Sequence, residues 1–365
     1  MVVRPDAHVR VYAREMEVLT MIGIGIDTHK ATLAVSAVDE LGRELDRTTV
    51  RNDRRGHAVL ARWAARLGSE RRIGIEGSGG FGAVLAQTLL AAGESVFEVP
   101  ATLTARERRR LRGHGKSDPG DALAIARVAA RETTLPIVQA WTSTDDLRLI
   151  VVARDELLAE RTRVANRLHA DLLVLEPGYG DRVPNLVAAR HLGAVARLLG
   201  GKTDVRAQLA KTRLARLRTI DRQVALFESQ LGVLVATSGS TLPSLPGIGV
   251  LVAAKLIGEV GDVRRLRSAA AFASYSGTAP VPASSGQTQR HRLNRGGNRQ
   301  LNRALHTMAL VQIRTHPLAQ AFIARRTAEG KSWREATRCL KRHLADVVYR
   351  TMKSDLLIAE QGLTR

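Results

Sequence analysis

The stretch IGIGID, residues 22–27, is a run of isoleucine and glycine that ends in a carboxylate. Such a run is typical of a central strand that is buried on both faces of a sheet. A carboxylate at the end of such a strand is costly to bury unless a cation pairs with it. The stretch RIGIEG, residues 72–77, repeats the arrangement with Glu76 in the place of Asp27. The two runs therefore predict two short strands, each ending in an acid that needs a positive partner.

The order of the elements around these runs predicts the fold. Two more strand-like runs, residues 31–39 and 45–52, follow the first, and helical and strand-like stretches then alternate up to residue 100. Three strands followed by alternating helices and strands is the order of a ribonuclease-H-like α/β domain. The first and fourth strands of such a sheet are neighbours, so we expect Asp27 and Glu76 to lie side by side. Two like charges at that distance repel each other unless a metal ion offsets them.

Two further acids, Asp118 and Asp121, stand three residues apart where a helical pattern begins. At this spacing both side chains project from one face of a helix, which allows them to complete a site with Asp27 and Glu76. The same residues also fit an ordinary helix start, with Asp118 as N-cap, Pro119 at the first helical position and Asp121 near the positive end of the helix dipole. The two roles are compatible. Four carboxylates suit Mg²⁺ or Mn²⁺ rather than zinc.

The charge of the chain indicates a polyanionic partner. Lysine and arginine number 56 against 35 acidic residues, which gives a formal net charge of +21, and nucleic acid is the commonest partner of so basic a protein. No apolar run approaches the roughly 18 residues that span a bilayer, so no membrane partner is expected. The single cysteine, Cys339, builds neither a disulfide framework nor a cysteine zinc site, which fits a cytoplasmic setting.

A basic run, residues 106–116, directly precedes Asp118. Its cations would attract a nucleic-acid backbone, while the acids behind it would hold metal where that backbone is cut. Two ions about 3.5 to 4 Å apart bracket a scissile phosphate and stabilise the attacking and leaving oxygens. The residues predicted to contact nucleic acid in this run are Arg108, Arg109, Arg110, Arg112 and Lys116.

The middle of the chain has a helical pattern. Apolar residues recur at a 3-4 spacing between about residues 143 and 235, which predicts two long helices. An antiparallel coiled-coil arm and ordinary core helices of a bundle are both compatible with this pattern. The turn after these helices, Pro-Gly-Ile-Gly, is similar to half of a helix-hairpin-helix, with Gly247 and Gly249 placed to hold a phosphate through backbone N–H groups. The same sequence pattern is expected where two packed helices are joined by a tight glycine turn without any phosphate ligand.

Two adjacent serines, Ser284 and Ser285, lie in a loop of small residues near the other end of the chain. Serine in such a loop is often only a turn former. The G-x-S-x-G elbow is absent, and no histidine and acid stand in protease-like or lipase-like order, so acyl transfer is not expected. Arginines around the loop supply what a phosphate clamp needs. They are Arg290, Arg292, Arg295 and Arg299.

Five stretches together carry a family resemblance: IGIDTHK, IGIEGSGGFG, KSDPGDALAIA, the long run from LPGIG to ASSG, and RGGNRQLNRALH. In this order they resemble the DEDD insertion-sequence transposases, which are bridge-RNA-guided recombinases with a RuvC-like N-terminal domain. The resemblance covers residues 22 to about 350. It implies that Asp27, Glu76, Asp118 and Asp121 bind metal.

The resemblance also implies a nucleophile and partners. Ser285 matches the family's nucleophile, and Ser284 is the alternative because adjacent serines leave the register open. The serine would attack a DNA phosphodiester to form a covalent phosphoserine, in a site shared between subunits of a homo-oligomer, a dimer or tetramer. The implied partners are double-stranded donor and target DNA and a structured non-coding guide (bridge) RNA that pairs with both. The protein would be cytoplasmic and associated with a bacterial nucleoid.

The sequence predicts an α/β plus α protein in four parts. These are an N-terminal extension (1–21), a RuvC-like domain (22–142), a helical coiled-coil arm (143–237) and a mostly helical C-terminal domain with the serines (238–365). Three alternatives stay open. A structure-specific RuvC-like endonuclease would use the same acids with water as nucleophile. An actin-like kinase would need glycine where His29 stands, and a non-catalytic nucleic-acid binder would not need metal.

Overall fold

The computed structural model describes residues 21–110, 118–282, 291–292, 294 and 296–363. It contains two compact units, with the boundary between Trp141 and Thr142. The helical middle of the chain and its C-terminal stretch lie in the same unit. The division into four parts therefore stays a prediction.

The N-terminal unit contains a five-stranded mixed sheet in the order β3-β2-β1-β4-β5. Strand β2 runs antiparallel to β1 and β3, whereas β1, β4 and β5 are parallel. This is the strand order of the ribonuclease-H-like domain that the sequence predicted, so the mixed α/β character of this part of the chain is confirmed. The strands are β1 (Ile22–Thr28), β2 (Thr32–Val38), β3 (Glu44–Arg51), β4 (Arg71–Glu76) and β5 (Val96–Glu98).

Helices cover both faces of this sheet. On one face, isoleucines of β1 and β4, including Ile24 and Ile75, pack with Leu60 and Leu85 in an apolar cluster that excludes water. On the other face, Ile125 and its neighbours form a smaller cluster with the end of the sheet. The helices of the unit are α1 (Arg54–Ala65), α2 (Ala83–Ala91), α3 (Ala101–Arg110) and α4 (Asp118–Arg131).

Helix α4 lies directly on β1 because the strand has glycine where the helix crosses it. A Cβ atom on Gly25 would lie 2.0 Å from the backbone nitrogen of Ala126 and 2.3 Å from the carbonyl oxygen of Ala122, so any side chain there would displace backbone. A Cβ on Gly23 would instead meet Ala130 at 2.6 Å. The helix therefore runs antiparallel to the strand, and its first turn points to the Asp27 end of β1.

The C-terminal unit is mostly helical. Its long helices are α5 (Ser143–Leu175), α7 (Val205–Thr237) and α12 (Trp333–Leu363), and its shorter helices are α6 (Ala189–Leu198), α8 (Val250–Val260), α9 (Ala269–Tyr275), α10 (Arg299–Thr315) and α11 (Pro317–Ala328). A two-stranded hairpin pairs β6 (Val281–Pro282) with β7 (His291–Arg292). Short 3-10 turns occur at 179–181, 242–244 and 263–265. None of the helices in the described ranges is long and apolar enough to cross a membrane.

Helices α5 and α7 form an antiparallel pair. Arg154 binds Glu228 at 2.6 Å and Arg161 binds Asp221 at 2.5 Å. Residue numbers therefore rise along α5 as the numbers of their partners fall along α7. At one end the pair shares an apolar cluster with α6, around Leu172. Two long antiparallel helices are what the 3-4 spacing predicted, whereas coiled-coil packing between them stays a prediction.

The core of the C-terminal unit joins the ends of α5 and α7 to helices α8 to α12. Phe272 and Leu305 are fully buried in it, and the ring of Tyr349 packs on Phe272 with centroids 6.0 Å apart. The Tyr349 hydroxyl donates to the carbonyl oxygen of Leu266 at 2.9 Å, which satisfies its polar end inside the core.

Candidate active site

Asp27 and Glu76 are direct partners in the register of the parallel strands β1 and β4. Because side chains alternate along a strand, Asp27 shares a face with Gly25, and Glu76 shares a face with Gly74. A Cβ on Gly74 would lie 2.8 Å from the Cβ of Ala129 in α4, so both acids are on the face that carries α4. Neighbouring strands are about 4.8 Å apart, which lets one oxygen of each carboxylate reach a common ion.

The start of α4 lies at the same end of the sheet. The helix begins at Asp118 and carries Asp121 in its first turn; the side chain of Asp118 lies outside the described part of the chain. The Asp121 carboxylate accepts a hydrogen bond of 2.8 Å from Nη1 of Arg108. Among the described side chains, no three His, Cys, Asp or Glu are close enough together to hold a metal ion. The metal-binding role of the four acids therefore stays a prediction.

The donor set nevertheless fits a hard divalent cation in its chemistry. It consists of carboxylate oxygens, two of which stand in register on adjacent strands, and such oxygens are the ligands that Mg²⁺ and Mn²⁺ prefer. The Asp27 side chain is only 14% exposed and contacts the imidazole of His29, with Nε2 3.2 Å from Oδ2. Burial next to a second acid makes a positive partner at this position favourable.

Asn52 fixes two loops beside Asp27 and Glu76. Its Nδ2 donates to the carbonyl oxygens of His29, at 2.8 Å, and of Phe81, at 2.9 Å. Its Oδ1 lies 2.8 Å from Nε2 of His57, which is a buried residue of α1. Burial lowers the pKa of His57, an effect that Asp53 opposes in part. A neutral imidazole thus positions the amide that joins the loop after β1 to the loop after β4.

Glu98 fixes the backbone that follows Glu76. Its carboxylate accepts hydrogen bonds from the backbone N–H groups of Gly77, at 3.2 Å, and Ser78, at 2.9 Å. These charge-assisted bonds hold the turn that leaves β4. The sequence interpretation did not assign a role to Glu98, Asn52 or His57. For Glu98 the available sequence signal was the stretch SVFEVP, residues 95–100, a third short strand-like run with an acid near its end.

Three described arginines of the basic run, Arg108, Arg109 and Arg110, have protein partners. Besides the bond from Arg108 to Asp121, Arg109 donates to the carbonyl oxygen of Ala105 and Arg110 lies 3.5 Å from Glu107. Arg109 and Arg110 are exposed and keep donors available to solvent. Two further predicted contacts, Arg112 and Lys116, lie outside the described residues.

The glycine turn before α8 has a packing role. Gly247 has a φ of +81°, and a Cβ there would lie 2.9 Å from the carbonyl oxygen of Met308, so glycine is required by the approach of α10. Gly249 precedes α8 as N-cap, with open space where a side chain would be. The close packing explains Gly247 without a ligand. Phosphate binding by this turn stays a prediction.

The serine loop itself lies outside the described residues. The predicted site residues that fall outside the description are Ser284, Ser285, Arg290 and Arg295. The hairpin β6–β7 holds the two ends of this segment, with Arg292 on β7. Arg292 and Arg299 are both exposed. Their exposure is compatible with the predicted phosphate clamp. The clamp itself stays a prediction.

The described part of the motif RGGNRQLN, residues 296–302, packs against the chain that leads into this hairpin. A Cβ on Gly297 would lie 2.3 Å from the Cα of Gly277, so the two backbones touch. Asn298 caps α10 through its side chain and donates from Nδ2 to Glu259 at 2.6 Å. Asn302 donates from Nδ2 to the carbonyl oxygens of Ser276 and Gly277, both at 3.0 Å. The motif thus fixes the backbone that enters β6.

Comparison with known proteins identifies the family. A DEDD-type model described as "Transposase" matches residues 24–177, and a model described as "Transposase IS116/IS110/IS902 family" matches residues 239–324. Together these ranges cover more than half of the chain, in the order that the motifs predicted. The fold and the two family matches thus define a transposase of the DEDD class. The chain is a member of the IS110-type family of insertion-sequence transposases.

Several relatives match over most of their length. The chain is 27% identical to the uncharacterized 42 kDa protein of insertion element IS900 from Mycobacterium paratuberculosis, over 90% of this chain and 95% of that protein. It is 26% identical to the uncharacterized 43.6 kDa protein of insertion element IS110 from Streptomyces coelicolor, over 90% of this chain and 93% of that protein. Among solved structures, Thermus thermophilus RuvC in complex with a Holliday junction substrate matches 32% of this chain and 99% of that chain, with 18% identity and a TM-score of 0.27.

Membership of this family makes the chain a DNA-cleaving and recombining enzyme. The N-terminal match, residues 24–177, includes Asp27, Glu76, Asp118 and Asp121. The C-terminal match, residues 239–324, includes Ser284 and Ser285. DNA is accordingly a partner of this protein.

Proposed function

We propose that this chain cuts and rejoins DNA through a serine nucleophile, with the help of divalent ions held by Asp27, Glu76, Asp118 and Asp121. The observation that carries the proposal is the direct opposition of Asp27 and Glu76 on the sheet face that receives the start of α4. Bound Mg²⁺ or Mn²⁺ would supply the positive charge that polarises a phosphodiester and stabilises its attacking and leaving oxygens.

The other residues of the site position this machinery. Glu98 orders the turn after Glu76, and Asn52 joins the loops that follow β1 and β4. Arg108 neutralises Asp121, so the guanidinium occupies the carboxylate until a metal ion competes for it. Preorganised side chains lower the cost of assembling a charged site around substrate.

The nucleophile is Ser285, with Ser284 as the alternative. As its Oγ–P bond forms, the bond from phosphorus to the leaving deoxyribose oxygen breaks, and the proton lost by the serine hydroxyl is balanced by protonation of that oxygen. The cut strand stays attached to the protein as a phosphoserine ester. This ester conserves the phosphodiester bond, so strands can be exchanged and rejoined without a nucleotide cofactor. Attack by water would instead leave a permanent break.

A structured non-coding guide RNA, which pairs with donor and target DNA, and a homo-oligomer, a dimer or tetramer, complete the proposal. Both rest on the resemblance to bridge-RNA-guided recombinases. The net charge of +21 supports several polyanionic partners at once. Aromatic residues make up only 3% of the chain, so stacking on bases contributes little, and base pairing by an RNA would supply sequence choice instead.

The alternative is a structure-specific endonuclease that uses water. One observation favours it: all four acids belong to the N-terminal unit, so a complete set for metal-dependent hydrolysis is present there without the serines. The two functions differ in what remains on the protein after cleavage.

Replacement of both serines, Ser284→Ala with Ser285→Ala, tests the proposal. End-labelled DNA carrying the element's junctions is incubated with Mg²⁺, the protein and the element's non-coding RNA, and products are separated under denaturing conditions. We expect the double variant to lose both cleavage and the covalent protein–DNA band, while Ser244→Ala, which removes an exposed hydroxyl bonded only to Thr241 in the described chain, keeps both. Continued cleavage by the double variant would establish hydrolysis instead.

A further inference from the structure

The C-terminal unit has a cavity of about 410 Å³ between the chain that enters β6 and helices α11 and α12. This is within the volume range of about 300 to 1,000 Å³ that is usual for small-ligand sites. Of the described residues that line it, six are lysine or arginine and one, Glu335, is acidic. The six cations are Arg292, Arg326, Lys331, Arg338, Lys341 and Arg342.

Lys341 is the most unusual of these cations. It is only 6% exposed, and its Nζ donates to the amide oxygen of Asn302 at 2.6 Å. The ion pairs of the described residues do not include Lys341, and a buried ammonium without a counter-charge is costly. Burial, and to a lesser extent the nearby Arg338, lowers the pKa of Lys341 to about 8. An anion in the cavity would restore the missing counter-charge.

Three arginines of the cavity, Arg326, Arg338 and Arg342, differ from Lys341 because each has an acidic partner. Arg338 lies 3.7 Å from Glu335, and Nη1 of Arg326 donates to Glu329 at 2.7 Å. The Nε of Arg326 is nevertheless buried and has no hydrogen-bond partner among the described residues. The cavity therefore offers an ammonium that has no ion-pair partner among the described residues, and an anionic oxygen ligand would supply its counter-charge.

Asn302 links Lys341 to the chain that enters the hairpin. Its Nδ2 donates to the carbonyl oxygens of Ser276 and Gly277, which fixes its Oδ1 toward Lys341. Gly277, Thr278 and Pro280 are themselves in the cavity wall. A ligand held by Lys341 is thus coupled to the backbone that leads into β6.

We propose that this cavity binds a phosphodiester group of a nucleic-acid strand through Lys341, with Arg326 and Arg338. DNA and RNA present the same anionic group, and an arginine fork matches its oxygens while an ammonium acts as a compact point charge. The choice of a nucleic-acid ligand rests on the proposed function. The cavity itself requires neither the metal site nor the serine nucleophile.

Pyridoxal 5′-phosphate is a suitable probe, since it carries both a phosphate and an amine-reactive aldehyde. An unprotonated Lys341 amine adds to the aldehyde, water leaves, and borohydride then reduces the imine to a stable secondary amine. At pH 8 a lysine with a pKa of about 8 is about half unprotonated, against roughly 0.4% of an ordinary lysine, an advantage of about a hundredfold. Full-length protein is labelled and the modified lysine is located by peptide mass spectrometry.

We expect Lys341 to be labelled at least about tenfold faster than Lys353, which lies on the same helix outside the cavity. A DNA or RNA oligonucleotide should protect Lys341, and an oligonucleotide of the same sequence with uncharged methylphosphonate linkages should not. Protection by DNA alone or RNA alone assigns the ligand to that strand, and protection by both assigns the site to the shared backbone. Labelling of Lys341 no faster than Lys353, or no protection by either charged oligonucleotide, would overturn the proposal.

Two variants separate this site from the active site. Lys341→Arg keeps the charge and should retain oligonucleotide binding, whereas Lys341→Met should weaken it and reduce its salt dependence, as removal of one phosphate contact does. Lys353→Met is the matched control. The labelling result should be the same in Asp27→Asn protein, so failure of the metal site leaves this test intact. If Lys341→Met does not fold, the protection experiment on unmodified protein still decides.

Discussion

The Arg108 guanidinium donates a hydrogen bond of 2.8 Å to Asp121, which is one of the four acids expected to hold metal. In this arrangement an arginine of the basic run acts as the counter-ion of the site. Metal binding to Asp121 must therefore compete with Arg108. The cost of that competition is modest because Arg108 is 35% exposed and its charge is partly screened by water.

Arg108→Gln should strengthen Mn²⁺ binding by about two- to fivefold, the range of a partly exposed ion pair. Isothermal titration of the purified protein with Mn²⁺ measures this. Arg109→Gln is the matched control, because Arg109 donates to a backbone oxygen within its own helix. Weaker Mn²⁺ binding by Arg108→Gln would show that Arg108 supports the metal site rather than competing with it.

Gly25→Ala should destabilise the N-terminal unit by about 3 kcal/mol, the upper end of the usual range for overpacking, because the new Cβ overlaps backbone atoms of α4 that cannot move independently. Loss of stability should be accompanied by loss of DNA cleavage, since α4 carries Asp118 and Asp121. Denaturant unfolding followed by circular dichroism gives the free energy.

Gly79→Ala provides the comparison within the same unit. A Cβ on Gly79 would meet no atom within 4 Å in the described structure, so this variant should unfold at nearly the same denaturant concentration as the unmodified protein. Equal stability of the two variants would mean that α4 does not approach β1 as closely as described.

The buried imidazole of His57 should make the N-terminal unit sensitive to acid. Burial lowers its pKa in the folded state below the usual value of about 6.5, so the unfolded chain binds the proton more readily. Stability attributable to this group is then fully present above pH 6.5 and is lost as the pH falls toward the folded pKa. His57→Gln, which keeps a donor for Asn52, should reduce the loss of stability between pH 7.5 and pH 5.5. An identical pH dependence in the variant would contradict this.

The strand order and the pairing of Asp27 with Glu76 were predictable from the sequence because both follow from local patterns. Isoleucine-glycine runs mark central strands, and the order of elements then determines which strands are neighbours. The glycines of those runs also explain why α4 lies so close to β1, although only the structure shows which residues of α4 meet Gly25.

Contacts between side chains far apart in sequence were not predictable. Lys341 and Asn302 are 39 residues apart, and each belongs to a helix whose pattern shows only which face is apolar. The bond between Asn52 and the loop after β4 is of the same kind. Such contacts depend on how elements pack, which a single sequence does not specify. The serine assignment came from family resemblance alone, because a small-residue loop has no periodic pattern to interpret.

Titration of the unmodified protein, Asp27→Asn and Glu76→Gln with Mn²⁺ tests the central claim most directly. If the paired carboxylates of β1 and β4 hold the ion, either substitution should weaken Mn²⁺ binding by at least about tenfold, because it removes an anionic ligand, while the thermal unfolding temperature stays unchanged or rises as like charges are removed. Glu94→Gln, which alters an acid bound to Arg71 at 2.5 Å, should bind Mn²⁺ normally. Undiminished Mn²⁺ binding by both Asp27→Asn and Glu76→Gln would contradict the proposed site.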